Sequence, residues 1–372
     1  MYEGHTVGVV VPAYNEEGFV GEVIDTVPGY VDRIYAIDDR STDGTWAEIR
    51  RHADRRNRDG GSVGDTRGDG AANALRDETS EGTREDGSSE GTREDGSSDY
   101  GGDERPADED AVADGGDSPT VVALRNEENR GVGGTIVRGY RHAREDGIDV
   151  TAVMAGDGQM DPDHLESVLD PIVEGEAAYA KGNRLYGADR SAMSRWRLFG
   201  NLLLSYLTKV ASGYWRLMDP QNGYTAISLS ALERLDLERL YPRYGFSNDL
   251  LVALNGHGFR VADVSMPAVY GDERSHISYR SFVPALSWLL LRRFLRRLAV
   301  RYLLRDFHPL VFVYALGIAG LAVALGALVR AVGSRSRPTA NLLAFLWLSA
   351  LTTLAAMSLD RVENEELVVS VG

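Results

Sequence analysis

Two stretches near the C-terminus, residues 309–329 and 340–359, run for 21 and 20 residues without a charged side chain. A helix rises about 1.5 Å per residue, so each could cross a hydrocarbon layer of about 30 Å. Residues 330–339 separate them and include Pro338 with three arginines, Arg330, Arg335 and Arg337. A reversal this short reads as a transmembrane hairpin. Two buried helices of a soluble core would be the competing reading, and the absence of charge speaks against it. Ahead of the hairpin, residues 281–305 interleave Trp288, Leu289, Leu290, Leu291, Phe294 and Leu298 with Arg292, Arg293, Arg296, Arg297, Arg301 and Arg305. Such a basic amphipathic stretch is expected to lie in the headgroup region. Its arginines outnumber those of the loop, so the positive-inside rule predicts a multi-pass protein of the cell membrane with the preceding residues cytoplasmic.

Those preceding residues alternate between strand and helix signals. Val7-Gly8-Val9-Val10-Val11 is a β-branched run closed by Pro12, and Arg33-Ile34-Tyr35-Ala36-Ile37 is a second, ending at Asp38-Asp39. Helices are predicted near 17–27 and 46–52. This order implies an α/β domain with a mainly parallel sheet, whose ligands bind outside the carboxyl ends of the strands. The first apolar run is a short strand beginning at Val7, so no signal peptide is expected.

Composition matters at one point. The net charge of −16 is concentrated in residues 59–118, which carry 19 acidic and 5 basic side chains and repeat EGTREDGSS at 81–89 and 90–98. With so few large apolar residues this segment cannot offset its own ordering entropy, and we expect a disordered surface insertion in the α/β domain. Cysteine is absent, so a metal must be held by oxygen or imidazole. No histidine shows a metal-binding spacing. Lys181 and Lys209 are the only lysines against 38 arginines, a bias that fits a GC-rich, archaeal genome.

Three polar motifs fall at predicted strand ends: Pro12-Ala13-Tyr14-Asn15-Glu16-Glu17, Asp38-Asp39-Arg40-Ser41-Thr42-Asp43-Gly44-Thr45, and Gly156-Asp157-Gly158-Gln159-Met160-Asp161-Pro162. Acidic and aromatic groups at adjacent strand ends can receive a base and ribose, although Asp38 and Asp39 would also suit a helix cap. In order and spacing the set resembles the family 2 glycosyltransferases of GT-A fold, and within them the dolichyl-phosphate mannosyltransferase-like group. The resemblance covers residues 7–270 apart from the insertion.

The resemblance implies roles. Pro12, Tyr14, Glu16, Asp38, Asp39 and Asp157 would bind the nucleotide sugar. Asp157 and Gln159 would hold Mg2+ or Mn2+ at the diphosphate, with Ala155 standing where the family commonly has another aspartate. Asn129-Arg130-Gly131-Val132-Gly133-Gly134 matches a glycine-rich segment at a helix start, a place that favours anions. Arg184, after Lys181-Gly182-Asn183, would contact phosphate, with Arg197 and the Arg274-Ser275 pair as further acceptor-phosphate candidates. Asp219-Pro220-Gln221-Asn222-Gly223-Tyr224 would shape the acceptor side. Asp249 occupies the place of the family's later acid. A phosphate acceptor is already ionised and needs no general base, so Asp249 is expected to orient the site or to help bind the metal. Asp157, Asp249 and Arg184 are the expected catalytic set.

The expected layout is a GT-A domain over 1–278 interrupted at 59–118, an amphipathic segment over 279–306, a hairpin over 307–360 and a tail over 361–372. The expected function is transfer of a hexose from a GDP-mannose- or UDP-glucose-type donor to a polyprenyl (dolichyl) phosphate, with inversion, supplying a membrane-borne donor for processes such as protein glycosylation. Two alternatives stay open: elongation of a lipid-linked glycan or polysaccharide, and a non-catalytic nucleotide-sugar-binding membrane scaffold. The partners expected are the donor, the lipid phosphate and the bilayer, with no nucleic acid and with homo-oligomer formation left open.

Overall fold

The computed structural model describes residues 1–61, 119–184, 195–266, 279–334 and 339–371. Most of the insertion, Arg274, Ser275, Arg335 and Arg337 lie outside the described residues, as does the side chain of Arg197.

Strand β1 (Val7–Ala13) is buried along its whole length, as a β-branched run covered on both faces must be. It continues past Pro12, which lies at its carboxyl end beside Ile37. Around it form β2 (Arg33–Asp38), β3 (Thr120–Arg125), β4 (Val150–Val153), β5 (Tyr179–Asn183), β6 (Thr225–Ser228), β7 (Val261–Ser265) and β8 (Val368–Val371), in the spatial order β3-β2-β1-β4-β6-β5-β7-β8. Among the described strands only β6 runs antiparallel to its neighbours, β4 and β5. Residues 361–372, expected to be a tail, therefore contain an edge strand parallel to β7.

Period-two alternation divides the core. Val7, Val9 and Val11 face α1 (Val20–Thr26), α2 (Thr45–Gly61) and α4 (Leu165–Val173), whereas Val10 faces α3 (Gly131–Glu145), α6 (Leu229–Arg234) and α7 (Phe246–Gly256). Helix α2 outruns the predicted 46–52 because its second half is polar and gives little periodic signal. Its Asn57 side chain pairs with both backbone groups of Val121 (2.7 and 2.9 Å), so the two flanks of the insertion are held side by side.

A third apolar cluster joins the domain to the C-terminal helices. It includes Ala211 of α5 (Arg195–Ser212), Val252 of α7, Leu286, Leu290 and Phe294 of α8 (Tyr279–Arg297), and Leu310, Tyr314 and Ala356 of α9 (Leu310–Gly333) and α10 (Ala340–Glu363). Helix α8 passes into a π-helical segment, Leu298–Arg305. Helices α9 and α10 are long and apolar enough to cross a membrane and remain largely unburied. Leu316, Val329 and Trp347 are each about 70 % exposed, an apolar surface of the kind that marks contact with lipid or another protein. The pair packs closely: a Cβ on Gly317 would overlap Thr353, and one on Gly320 would overlap Ser349.

The arginines ahead of α9 are only partly available to lipid. Arg297 is fully buried against Asp360 of α10 (2.8 Å). Arg301 and Arg305 donate to the backbone carbonyls of Asn255 and Gly256 at the C-terminus of α7, where the helix dipole favours cations. Asp360 also accepts from Tyr302 (2.7 Å), Trp215 (3.1 Å) and Asn364 (3.1 Å).

Candidate functional site

The register of β1, β2 and β4 brings the three sequence motifs to one edge of the sheet. Ala13 pairs with Asp38, the Asp39 amide donates to the Ala13 carbonyl (2.8 Å), and the Gly156 amide donates to the Pro12 carbonyl (3.1 Å). The loops carrying Glu16, Asp39 and Asp157 thus leave neighbouring strands side by side.

The first two motifs are laced together. Asn15, at φ +57°, accepts from the Thr42 amide through Oδ1 (2.9 Å), and its own amide donates to the Ser41 hydroxyl (3.0 Å). The Glu16 amide donates to the Thr45 hydroxyl (2.8 Å), and Glu17 accepts from the Gly44 amide (2.9 Å). Glu48 accepts from the amides of Gly18 and Gly21 (2.7 and 2.9 Å) at the start of α1. These bonds fix the loop on which Tyr14 is exposed and Glu16 half-buried.

Asp38 and Asp39 are both buried and already have protein partners. Asp38 accepts from the Ser41 amide (3.0 Å) and pairs with Arg125 (2.9 Å). Asp39 accepts from the Arg130 and Gly131 amides (2.8 Å each) and from the Asn126 side chain (2.7 Å). Gly131 sits at φ +76° with Pro242 and Arg243 against it, so the glycine-rich segment is a tight turn tied to Asp39. A nucleotide would meet either carboxylate in addition to these bonds. Sequence reasoning missed Arg125 and Asn126. The available signal was a polar pair at the end of β3, level with Asp38-Asp39 at the end of β2.

Asp157 and Gln159 flank Gly158, which has φ +72°, and Asp157 accepts from the Gln159 amide (3.1 Å). Both side chains are half-buried. Among the described residues no group of three or more His, Asp or Glu side chains could hold a metal. Asp157 and Gln159 supply one carboxylate and one amide oxygen. That donor set fits a hard divalent ion whose remaining ligands are phosphate and water.

On the other half of the edge, Arg184 follows β5, is exposed, and donates through Nε to Asp219 (3.1 Å). Asp219 has φ +40°, left-handed for a non-glycine residue. Asp249 stands in the first turn of α7, where Arg293 of α8 grips it (2.6 Å) and the Tyr241 amide donates to it (2.8 Å). Burial pushes its carboxyl up, against the opposing pull of Arg293. Both Asp249 oxygens are taken up by Arg293 and the Tyr241 amide, which ties α8 to the start of α7. A separate crevice between α7 and α8 is lined by Leu240, Asp249, Val252, Arg293, Arg296 and Arg297, and none of the β1, β2 or β4 strand-end residues lines it.

Comparison with known proteins gives this geometry a family. Residues 8–77 and 94–236, more than half of the chain, match the model for glycosyl transferase family 2. The UDP-N-acetylglucosamine–dolichyl-phosphate N-acetylglucosaminyltransferase of Methanococcus voltae is 31 % identical over 151 residues, 40 % of this chain and 60 % of that protein. The undecaprenyl-phosphate mannosyltransferase of Micrococcus luteus is 27 % identical over 161 residues, 41 % of this chain and 63 % of that protein. The match thus spans less than two thirds of each of these relatives. Among solved structures, glucosyl-3-phosphoglycerate synthase from Mycobacterium tuberculosis aligns over 79 % of this chain and 80 % of its own, at 17 % identity and a TM-score of 0.46. With a mainly parallel sheet carrying the three motifs on one edge, the chain belongs to glycosyl transferase family 2.

Proposed function

We propose that the protein transfers a sugar from a nucleoside-diphosphate donor to a polyprenyl (dolichyl) phosphate, with inversion, at the cytoplasmic membrane face. The observation that carries this reading is the attachment of a family 2 domain to a pair of long apolar helices through the buried Arg297–Asp360 pair. That attachment suits an acceptor whose reactive phosphate lies at the headgroup level. The relatives act, by their names, on lipid phosphates, and they differ in the sugar carried. The donor class here is accordingly a UDP- or GDP-linked hexose or N-acetylhexosamine.

In this mechanism Tyr14, Glu16, Asp38 and Asp39 frame the nucleoside at the ends of β1 and β2. Asp157 and Gln159 would hold Mg2+ or Mn2+, which offsets the charge that develops on the departing diphosphate. Arg184 receives a phosphate through its terminal nitrogens, a bidentate grip that fixes direction as well as distance. An acceptor phosphate oxygen forms a bond to the anomeric carbon as the bond to the diphosphate oxygen breaks. The electron pair leaves with the nucleoside diphosphate, and one displacement inverts the centre. No proton need be removed from an ionised phosphate, which is consistent with an Asp249 engaged elsewhere. Proximity and charge stabilisation supply the rate.

The test is a donor screen on membranes containing the protein, with dolichyl phosphate as acceptor. A labelled, mild-acid-labile lipid product is expected from one donor. Binding of donors without any such product would leave the scaffold alternative standing and this reading without support.

A further inference from the structure

Among 40 lysine and arginine side chains only Lys181 and Lys209 are lysines, and both converge on Met218. Lys181 is 1 % exposed and its ammonium meets three acceptors: the Met218 carbonyl (2.7 Å), the Gly182 carbonyl (2.9 Å) and Asp263 Oδ1 (3.3 Å). An ammonium has three donors, so the group is saturated. A planar guanidinium could not reach three acceptors arranged around one point. In a chain that otherwise uses arginine, this geometry accounts for the lysine.

Asp263 completes the arrangement. Its Oδ2 accepts from the Met218 amide (2.9 Å) and from the Asn183 side chain (3.1 Å). Both backbone groups of Met218 are therefore gripped by one buried ion pair, and the same pair holds the residue just before Arg184. Asp219, next after Met218, is kept in its left-handed conformation and bonds the Nε edge of Arg184. The terminal nitrogens of Arg184 have no partner among the described residues, and the side chain as a whole is exposed.

We propose that Lys181, Asp263 and Asp219 are positioning residues that orient Arg184 for phosphate. This rests on the reading of Arg184 as a phosphate ligand. The two residues that carry Arg184 and its partner, Asn183 and Met218, lie on different elements, and Asp263 on β7 is the point where they meet. Asp219 then fixes the guanidinium from one edge and leaves the opposite edge for two parallel bonds to a phosphate.

A purely structural role would show itself differently, and a double-mutant cycle separates the two. The full-length protein in detergent or nanodiscs is assayed with dolichyl phosphate as acceptor and with GDP-mannose and UDP-N-acetylglucosamine as donors. Lys181→Arg, Asp219→Asn and Arg184→Ala are compared singly and in combination. Each single change is expected to raise the KM for dolichyl phosphate by about tenfold or more, the loss of one charged hydrogen bond, while nucleotide binding stays within about twofold. Added to Arg184→Ala, neither Lys181→Arg nor Asp219→Asn should lower activity further. Losses that multiply in the Arg184→Ala background, or an unchanged KM in Asp219→Asn, overturn the positioning role. An Arg184→Ala enzyme with wild-type KM overturns the phosphate reading itself. Should Lys181→Arg fail to fold, the half-buried Asp219→Asn carries the cycle alone.

Discussion

Asp360→Asn tests how the catalytic domain is fastened to its apolar helices. Asp360 and Arg297 are both fully buried, and the carboxylate accepts two guanidinium bonds (2.8 and 3.1 Å) besides those from Tyr302, Trp215 and Asn364. The amide keeps the shape, removes the charge and turns an NH2 group toward donors. Removing one partner from a buried pair costs about 3–5 kcal/mol, because the other charge is left without compensation. For a domain of this size that corresponds to a loss on the order of 10 °C in Tm. Unfolding of the full-length protein in nanodiscs can be followed by tryptophan fluorescence, since the Trp215 indole donates directly to Asp360. Replacing both partners, Arg297→Met with Asp360→Leu, should cost less than the two single changes added together, since two buried charges disappear at once while Tyr302, Trp215 and Asn364 lose an acceptor in either background. A single variant within about 1 kcal/mol of wild type would behave like a hydrated surface pair and refute the reasoning. So would a double variant as unstable as the sum of its parts.

Four further outcomes are expected. Asp157→Ala should abolish transfer, measured as lipid-linked label, because the diphosphate loses the carboxylate assigned to its ion; full activity would remove that assignment. Asp39→Ala frees the Arg130 and Gly131 amides and should weaken UDP or GDP binding at least about tenfold in calorimetry, at roughly 1.5 kcal/mol or more per charged hydrogen bond. Replacing residues 62–118 with a short linker should leave transfer within about twofold of wild type, since Asn57 and Val121 already hold the flanks together and closure entropy changes only slowly with the length between them; a collapse of expression would show that the segment supports the fold. The Thr6 amide and hydroxyl hold the Asp149 carboxyl below its usual range. A depressed folded-state pKa stabilises above the unfolded value and is lost as pH falls through the folded one, so Asp149→Asn should flatten the acid limb of the stability curve and leave its neutral slope unchanged.

Much of the strand-end arrangement was legible because it depends on short-range pattern. A β-branched run ending in a polar motif announces a parallel strand with a loop at its carboxyl end, and Val7–Ala13, Arg33–Asp38 and Val150–Val153 all follow that rule. The apolar helices were legible for the same reason, through unbroken length. What escaped were partners distant in sequence. Asp39 meets Arg130 and Gly131 across the whole insertion, and Asp249 meets Arg293 from another helix, so their motifs disclosed acids without disclosing what already bonds them. Residues 281–305 read as a lipid-facing basic stretch, yet Arg297, Arg301 and Arg305 all bond protein groups. Periodicity records which face is polar and not what that face touches. Strand β8 is four residues long and follows a membrane-type helix, too little pattern for a strand to declare itself.

That last strand has a consequence for biogenesis. In chain order β8 comes after both apolar helices, yet it hydrogen-bonds to β7 of the eight-stranded sheet. The described sheet can therefore be completed only after the two apolar helices, Leu310–Gly333 and Ala340–Glu363, have been synthesised. Without β8, the backbone groups along that side of β7 would lose their strand partner and leave an open sheet edge.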